Sequence, residues 1–436
     1  MKSKVYSSVE QFKEQNAELK TDLPISDDNS VLCQKVKIGN LELSNRLVCQ
    51  AMEGCDGTSD GRPDELTVRR YERLSKGGAG LIWFEATAVC NEGRANPRQL
   101  YINKKNLDDF KKIVENIKRW GMKENGYEPA VIMQATHSGR YSKPEGKPAP
   151  IIAYNNPIFE KDNPIDKSRI ITDEGLDRVH ESLVHAAGLA KEAGFDGVDI
   201  KCCHRYLNSE LLSAFTREGR YGGSFENRTR LLRESVRDSI SLCGDGFTVT
   251  SRMNVYDGFP YPYGFGVKEG EGITPDLSEA DRLIKELAEL GVKLLDITVG
   301  NPYFNPHVNR PYAAGGYEPP EHPLCGVARM LKGTAKLGKA NPDVSLICSG
   351  LSFLGAAAPG VAAAFIEEGG FSLAGFGRMI FAYPDFAKDI VNGRFDPKKI
   401  CIACSKCTEI MRAGGTPGCI VRDGETYMPI YKKYCK

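Results

Sequence analysis

The amino-acid sequence predicts a (β/α)8 barrel, and three features of the 436-residue chain support this prediction. Eight short apolar segments, each typical of a buried strand, recur along the chain. Amphipathic segments of helical periodicity separate them, and several of these begin with Asp and end with Gly. Regular alternation of strands and helices indicates a parallel sheet with crossover helices, and eight such repeats can close into a barrel.

The eight predicted strands span more sequence than a minimal barrel needs. In chain order they are RLVCQA from Arg46, AGLIWFEA from Ala79, AVIMQ from Ala130, FDGVDI from Phe195, FTVTSR from Phe247, KLLDITV from Lys293, VSLICS from Val344 and LAGFG from Leu373. A minimal barrel takes roughly 250 residues, so the loops after the third, fourth and fifth strands must be extended. Loops that follow strands lie at the face where barrel enzymes carry out their chemistry.

The chain divides into three predicted regions. Residues 1–30 form a polar, partly helical arm, residues 31–390 the barrel, and residues 391–436 a short cysteine-rich segment. Only 17 residues follow Cys419, so no second large domain fits there.

The charge and the apolar pattern exclude several classes of protein. Lys and Arg number 58 against 57 Asp and Glu, which gives a net charge of +1 and argues against a nucleic-acid partner. No segment approaches the roughly 18 apolar residues of a membrane helix, and the N-terminus lacks the apolar core of a signal peptide. We therefore expect a cytoplasmic protein without a membrane partner.

Four of the fourteen cysteines lie within 19 residues of one another. Cys401, Cys404, Cys407 and Cys419 are separated by two, two and eleven residues. Three thiols at successive two-residue spacings are typical of a [4Fe-4S] cluster, whereas structural zinc usually takes two separated pairs. The spacing favours a [4Fe-4S] cluster, with structural zinc and unliganded thiols as the alternatives.

Among nucleotide cofactors, a mononucleotide fits the sequence motifs best. No G-x-G-x-x-G occurs, so a dinucleotide-binding Rossmann domain is not supported. GTAKLGKA from Gly333 resembles a P-loop, but Ala340 lacks the hydroxyl that magnesium requires. The remaining phosphate site is the pair of turns after the seventh and eighth strands, where Gly350, Gly377 and Arg378 lie.

The residues at the strand ends suit a large heteroaromatic cofactor. An amide, a guanidinium, a tyrosine and a histidine follow different predicted strands, and these strand ends meet at one face of a barrel. Such groups can bond the edge of a heteroaromatic ring and balance its charge. A flavin mononucleotide (FMN) fits this set.

Several segments resemble the old yellow enzyme family of FMN-dependent oxidoreductases. They are KIGNLELSNRLV, GGAGLIWFEATAVCNEGR, QATHSGR, GFDGVDIKCCHRYLNSELLSAFTREGRYGGSFENRTR and GFGRMIFAYPDF, followed by the cysteine cluster. The iron-sulfur branch that includes 2,4-dienoyl-CoA reductase and trimethylamine dehydrogenase is most similar. The resemblance implies FMN at the barrel mouth and a [4Fe-4S] centre beside it.

The resemblance also implies a role for individual residues. Ala51, Met52, Glu53 and Ala86 would line the flavin, Gln134 would bond its pyrimidine edge, Arg252 would lie beside N1 and O2, and Gly350, Gly377 and Arg378 would hold the phosphate. Tyr206 matches the family's proton donor, and His204 matches the second of two substrate-anchoring residues. The first anchor is usually His, but Lys201 occupies that position here. This difference puts in doubt whether the two residues bind the oxygen of a simple enone as the family's usual pair does.

The chain lacks the C-terminal nucleotide-binding domains that the dienoyl-CoA reductases have. Electrons would then come from NADH or NADPH directly, or from a separate redox protein through the cluster. The protein could form a homo-oligomer, and the sequence does not decide this.

The expected function is reduction of an activated carbon-carbon double bond. Aromatic residues in the loops after the fifth and sixth strands suggest a flat, apolar, cyclic or aromatic carbonyl substrate, unless they pack the loops themselves: Tyr256, Phe259, Tyr261, Tyr263, Phe265, Tyr303, Phe304 and Tyr312. An amine dehydrogenase that passes electrons out through the cluster and a non-catalytic electron-transfer flavoprotein are the alternatives.

Overall fold

The computed structural model describes residues 5–312 and 315–435 and contains the expected closed barrel of eight parallel strands. All eight predicted strands are confirmed as β3 (Leu47–Cys49), β4 (Leu81–Ala88), β5 (Ala130–Thr136), β6 (Gly197–Ile200), β7 (Thr248–Asn254), β8 (Leu294–Thr298), β9 (Ser345–Cys348) and β10 (Leu373–Phe376). Neighbours pair in chain order, and β10 closes the barrel by pairing with β3. The strands are buried almost throughout, which explains why most of their sequences are rich in apolar residues, although β7 (TVTSRMN) carries several polar side chains.

A short antiparallel hairpin that the sequence analysis did not predict precedes the barrel. It consists of β1 (Val36–Ile38) and β2 (Leu41–Leu43). Its side chains Ile38, Leu41 and Leu43 pack in one buried cluster with the first residues of several barrel strands, among them Leu81 and Leu294. The hairpin therefore closes the N-terminal end of the barrel and leaves the C-terminal end for a site.

The helices surround the barrel, and local capping explains where the long ones begin. Asp64 and Thr172 accept backbone N–H groups at the first turns of two of them. The helices are α1 (Val9–Glu18), α2 (Glu65–Lys76), α3 (Leu107–Asn125), α4 (Pro157–Glu160), α5 (Asp173–Glu192), α6 (Leu207–Leu211), α7 (Phe225–Arg228), α8 (Arg230–Cys243), α9 (Ser278–Glu289), α10 (Pro306–Asn309), α11 (Pro323–Ala340), α12 (Ala358–Glu367), α13 (Met379–Ala382), α14 (Phe386–Val391), α15 (Lys406–Arg412) and α16 (Gly424–Tyr434).

Short 3-10 turns lie at Ser30–Cys33, Gly139–Tyr141, Lys167–Arg169 and Leu351–Ala357. The P-loop-like segment from Gly333 lies inside α11, where its backbone amides cannot cradle a phosphate.

In the described ranges, every helix is too short or too polar to cross a membrane. The N-terminal arm contains α1 and packs on the barrel, because the Tyr6 ring meets Phe12 and Phe353 edge to face. The region boundaries at residues 30 and 390 stay predictions.

A network of buried polar side chains crosses the barrel interior. Asp199 accepts hydrogen bonds from Trp83 Nε1 at 2.7 Å, from Gln134 Nε2 at 2.6 Å and from the backbone N–H of Arg252 at 2.7 Å. Asp296 accepts from Gln50 Nε2 at 2.9 Å and pairs with the Arg252 guanidinium, Nε to Oδ2 2.9 Å. Burial raises the pKa of Asp296 to about 7, and Arg252 opposes that rise. These groups lie on, or next to, six barrel strands and fix them relative to one another.

A second buried ion pair holds the segment that follows β3. Arg70 of α2 is 5% exposed and its guanidinium bonds both Asp56 and Glu85, which are also buried. The other oxygen of Glu85 accepts the backbone N–H of Gly54 at 2.8 Å. Because Gly54 lacks a Cβ, the guanidinium can lie directly against its backbone, where a Cβ would stand 2.1 Å from Arg70 Nη1. This clamp fixes the segment from Ala51 to Asp56.

We expect Arg70→Met to lower the free energy of unfolding by about 3–5 kcal/mol, because it leaves two buried carboxyl groups without their cation. Urea denaturation followed by circular dichroism measures the change. Arg62→Met is the matched control, since Arg62 pairs with Asp60 at the surface and such pairs contribute at most about 1 kcal/mol. Equal losses in the two variants would contradict a special role for the Arg70 clamp.

Candidate active site

A cavity at the C-terminal end of the barrel, here named the central cavity, brings together eight of the residues that the sequence analysis selected. They are Ala51, Met52, Glu53, Ala86, Gln134, Lys201, His204 and Tyr206. These residues follow or end β3, β4, β5 and β6, so the parallel arrangement of the strands directs them to one place. The loop after β8 and the C-terminal segment complete the wall with Pro302, Tyr303, Asn309, Arg310, Phe381, Cys407, Thr408, Met411 and Pro417.

The turn after β6 adopts an unusual backbone conformation. His204 and Arg205 have φ values of +63° and +60°, a region that residues other than glycine seldom occupy. Arg205 is fully buried, with its guanidinium 3.0 Å from Asp257 and 3.1 Å from the Tyr154 hydroxyl. These bonds offset the cost of the conformation. The turn presents the His204 and Tyr206 side chains to the central cavity.

His204 is a neutral imidazole in this environment. Burial holds its pKa well below the usual value, and the positive charges of Arg252 and Lys201 lower it further. Its Nε2 atom is buried and has no hydrogen-bond partner among the described residues. A buried polar atom without a partner is costly, so a ligand that bonds this nitrogen would gain affinity.

Lys201 and Tyr206 lie against each other in the cavity wall. The Lys201 Nζ is 3.7 Å from the centroid of the Tyr206 ring. Burial lowers the pKa of Lys201, while Cys203, Glu53 and Asp199 raise it. Burial also raises the pKa of Tyr206 well above its usual value, so the phenol is protonated at neutral pH. The cavity thus contains a cation, a neutral imidazole and a phenol.

Gln134 and Arg252 belong to the interior network as well as to the predicted site. One N–H of the Gln134 amide is committed to Asp199, which leaves the other N–H and the amide oxygen for a ligand. Arg252 lies behind the cavity wall, where it pairs with Asp296. The sequence analysis predicted both residues at the site but missed Asp199 and Asp296. A charged residue inside an apolar strand, as in FDGVDI and KLLDITV, is the signal that could have found them.

Two guanidinium groups meet beside the turns that follow β9 and β10. Arg378 follows Gly377, and its Nη2 donates to the carbonyl of Pro311. The Nη1 atoms of Arg310 and Arg378 are both buried without a partner in the described ranges. Burial lowers the pKa of Arg310 to about 10, and the nearby charges of Arg378 and Arg412 add to this. Two cations with no counter-ion among the described residues could bind an anion such as phosphate.

Gly350 supports this interpretation, because its φ of +97° turns the chain sharply after β9. Arg310 was not predicted from the sequence. It lies in a long loop, and its approach to Arg378 depends on how that loop folds.

The four clustered cysteines line one enclosed cavity, here named the thiol cavity. Cys401, Cys404, Cys407 and Cys419 all contribute to its wall, together with Arg378. All four are free thiols. Cys407 also lines the central cavity, so the two cavities share a wall.

The separation of these thiols bears on what they can bind. In the described ranges, the one group of three His, Cys, Asp or Glu ligand atoms within 4.8 Å of one another is Cys90, Glu92 and His137. No three of the four clustered sulfurs are therefore that close. Tetrahedral zinc with bonds of about 2.3 Å would hold its sulfurs about 3.8 Å apart. The thiol cavity suits a larger cluster better than a single zinc ion.

The loop aromatics are the clearest correction to the sequence analysis. Of the eight that were expected to suggest a flat ligand, only Tyr303 lines the central cavity. Phe259 and Phe304 pack on Phe159 and on each other, and Tyr261 packs on Phe215. The alternative that the rings pack the loops themselves is correct for Phe259, Phe304 and Tyr261. Composition could not separate the two cases, because it does not reveal which way a loop side chain points.

Comparison with known proteins assigns the class. The pattern of the NADH:flavin oxidoreductase / NADH oxidase family matches residues 32–396. The chain belongs to this family of FMN-dependent oxidoreductases. It is 28% identical to the NADPH dehydrogenase of Clostridium acetobutylicum over 267 residues, which are 60% of this chain and 72% of the relative. It is 26% identical to the NADH oxidase of Thermoanaerobacter brockii over 381 residues, 85% of this chain and 52% of the relative.

Solved structures share the fold. A 2-naphthoyl-CoA reductase in complex with 2-naphthoyl-CoA superposes with a TM-score of 0.74 and 21% identity, covering 94% of this chain and 58% of that chain. Morphinone reductase in complex with tetrahydroNAD gives a TM-score of 0.62 and 21% identity, covering 83% of this chain and 91% of that chain. The chain thus spans little more than half the length of the naphthoyl-CoA reductase.

The residues of the central cavity and its surroundings fit FMN. Ala51, Met52 and Ala86 provide an apolar wall for a ring system, and the unpartnered Nη1 atoms of Arg310 and Arg378 provide for its phosphate. The fit rests on these orphaned polar atoms as well as on the family.

We expect Arg310→Leu to reduce the FMN content of the purified protein at least tenfold, because a charge-assisted hydrogen bond to the phosphate is lost. The ratio of flavin absorbance to protein, measured after release of the cofactor, checks this. Arg329→Leu serves as the control, since the guanidinium of Arg329 on α11 pairs with Glu321, away from the cavity. Full FMN content in Arg310→Leu would show that Arg378 and the turns bind the phosphate without Arg310.

Proposed function

We propose that the protein reduces the activated carbon-carbon double bond of an unsaturated carbonyl compound. The observation that carries this proposal is that the unpartnered Nε2 of His204, the Lys201 ammonium and the Tyr206 phenol line the same cavity as the flavin-lining residues. An oxygen ligand and a proton donor are the two things that such a reduction needs from the protein. Ala51, Met52, Glu53, Ala86 and Gln134 would line the flavin, with Arg252 behind them.

Each group in the cavity has a separate task. Reduced FMN, when bound, supplies the hydride that adds to the carbon at the far end of the conjugated system. His204 donates a hydrogen bond from Nε2 to the substrate carbonyl oxygen, and the Lys201 ammonium stabilises the negative charge that gathers there. Tyr206 then gives its proton to the neighbouring carbon. The substrate gains one hydride, which would come from the cofactor, and one proton, which comes from Tyr206.

The high pKa of Tyr206 suits this role. Because burial disfavours the phenolate, Tyr206 keeps its proton until charge has developed on the substrate. The neutral state of His204 is equally useful, since a neutral imidazole can hydrogen-bond an oxygen without competing with Lys201 for charge stabilisation.

Lys201 also weighs against the amine dehydrogenase alternative. An amine substrate enters such a site with a positive charge, and the buried ammonium of Lys201 would repel it. A carbonyl or carboxylate oxygen is attracted by the same group. The cavity therefore favours an enone or enoate over a methylated amine.

We further propose that the thiol cavity holds a [4Fe-4S] cluster bound by Cys401, Cys404, Cys407 and Cys419. The spacing of the cysteines and the separation of their sulfurs both support a cluster over zinc. The shared wall at Cys407 would bring the cluster next to the flavin. Electrons would reach the flavin from NADH or NADPH, as the names of the relatives suggest, or from a separate redox protein through the cluster.

Protein purified without oxygen is expected to contain about four irons and matching acid-labile sulfide per chain. Cys404→Ser should lose the iron and keep FMN and the barrel fold, because the cysteines lie beyond β10. Metal and sulfide analysis with circular dichroism measures both. Cys435→Ser, which lies outside the thiol cavity, should keep its iron. Zinc without sulfide in the wild-type protein would overturn the cluster.

Tyr206→Phe is expected to bind FMN and to be reduced by NADPH or dithionite as the wild type is. Reoxidation of its flavin by an enone should be about 10²- to 10⁴-fold slower, which is the usual contribution of a general acid. Stopped-flow absorbance with 2-cyclohexenone and an aromatic enoate measures reoxidation of the reduced flavin. Mixing the oxidised protein with a tertiary amine tests the other substrate class, because an amine substrate would reduce the flavin. Tyr261→Phe, a loop substitution outside the cavity, is the control. Equal rates in Tyr206→Phe and wild type would exclude Tyr206 as the proton donor.

A further inference from the structure

Tyr206 has a second phenol as its hydrogen-bond partner. The Tyr206 and Tyr303 hydroxyl oxygens are 2.8 Å apart. Tyr303 lies in the loop after β8, and its ring stacks on Tyr141 with centroids 3.9 Å apart. The Tyr141 hydroxyl in turn accepts a hydrogen bond from the Asn301 amide at 2.7 Å. The stack and this bond fix the position of Tyr303 relative to the proton donor.

Tyr303 also stands between Tyr206 and the outside. Beside the central cavity lies a wider groove of about 500 Å³, here named the entry groove, which is lined by Glu53, Asn96, Arg98, Tyr141, Lys143 and Tyr303, among others. Tyr303 lines both the central cavity and the entry groove, whereas Tyr206 lines only the central cavity and is 3% exposed. Glu53 and Met411 also line both, but Tyr303 is the one of these three whose hydroxyl is hydrogen-bonded to Tyr206.

The shared hydrogen bond limits where the two protons can lie. Each phenol carries one hydrogen, and either oxygen can donate in the 2.8 Å bond. If Tyr206 is to protonate a substrate carbon, its own hydrogen must point into the central cavity. The hydrogen in the shared bond must then belong to Tyr303.

We propose that Tyr303 is a positioning residue and proton relay: it donates to the Tyr206 oxygen, directs the Tyr206 hydrogen to the substrate, and passes its own proton to Tyr206 as that hydrogen leaves. This inference rests on the proposed function of Tyr206. In the balanced step, the Tyr206 O–H bond breaks and a C–H bond forms on the substrate. The Tyr303 O–H bond breaks and the Tyr206 O–H bond forms again. The resulting Tyr303 phenolate takes a proton from water in the entry groove, and no electrons move in these transfers.

The position of the pair favours this direction of transfer. Burial raises the pKa of both phenols, and the charge of Glu53 raises both further. Of the two phenols, Tyr303 borders the entry groove, so a negative charge on Tyr303 lies closer to the water of the groove.

The test is the rate of flavin reoxidation by 2-cyclohexenone in a single turnover, measured for wild type, Tyr303→Phe and Tyr261→Phe in mixtures of H₂O and D₂O. The hydrogen that reduced FMN gives up comes from an N–H group that also exchanges with D₂O, so each of these rates is divided by the rate of Tyr206→Phe in the same mixture. In wild type, two protons move in one step, so the plot of this ratio against deuterium fraction should curve. In Tyr303→Phe, only one proton moves, so the plot should be linear and reoxidation roughly 10- to 100-fold slower, because a hydrogen bond to a developing charge is lost. Tyr261→Phe, whose ring packs on Phe215 outside the central cavity, should keep the wild-type rate and the curved plot.

Other results would overturn the relay. One is that Tyr303→Phe reacts at the wild-type rate. The other is that Tyr303→Phe reacts slowly but its plot stays curved, since a packing defect would slow the reaction without changing the number of protons that move. If Tyr303→Phe does not bind FMN, wild type and Tyr206→Phe are compared instead. A curved plot of their rate ratio supports the relay, and a linear plot overturns it.

Failure of the relay and failure of the proposed function give different results. If Tyr206→Phe reoxidises slowly while Tyr303→Phe matches wild type, only the relay is wrong. If Tyr206→Phe matches wild type, or if no reoxidation by 2-cyclohexenone or by the aromatic enoate occurs in wild type, the proposed function is wrong and the relay with it.

Discussion

The pairing of charges inside the barrel is the constraint on which the rest of the molecule depends. Asp199, Asp296 and Arg252 lie where water has no access, and an unpaired charge there would cost several kcal/mol. Each carboxylate therefore needs its donors, which come from neighbouring strands. This requirement fixes the register of neighbouring strands. It thereby fixes the strand ends that form the central cavity, so the site is supported by the same bonds that hold the barrel.

The barrel could be predicted from the sequence because strand burial and helix periodicity are local patterns. A strand covered on both faces reads as a largely apolar run, and most of the eight strands satisfy this condition. The hairpin of β1 and β2 was missed because its strands are only three residues long, too short for the alternation of apolar and polar residues in VKI and LEL to stand out. The site residues at the ends of β3 to β6 were predictable for a similar reason, since position along a parallel strand determines which face of the barrel a residue reaches.

The parts that could not be predicted depend on loop conformation. Arg310 and Tyr303 belong to the long loop after β8, and nothing local to NPYFNPHVNRPY distinguishes the ring that meets Tyr206 from the ring that packs on Phe159. The same loop misled the interpretation of the aromatic residues. Long loops carry specificity in this fold, and their side-chain directions emerge only from tertiary packing.

The left-handed turn at His204 has a consequence for protein engineering. At a φ of +63°, backbone energetics favour glycine or asparagine over histidine, so the native residue is the less stable choice at its own position. A redesign that selects only for thermal stability would therefore replace His204 early, because such a substitution would raise the melting temperature. Such a protein would keep the barrel, but it would have lost the imidazole that lines the central cavity.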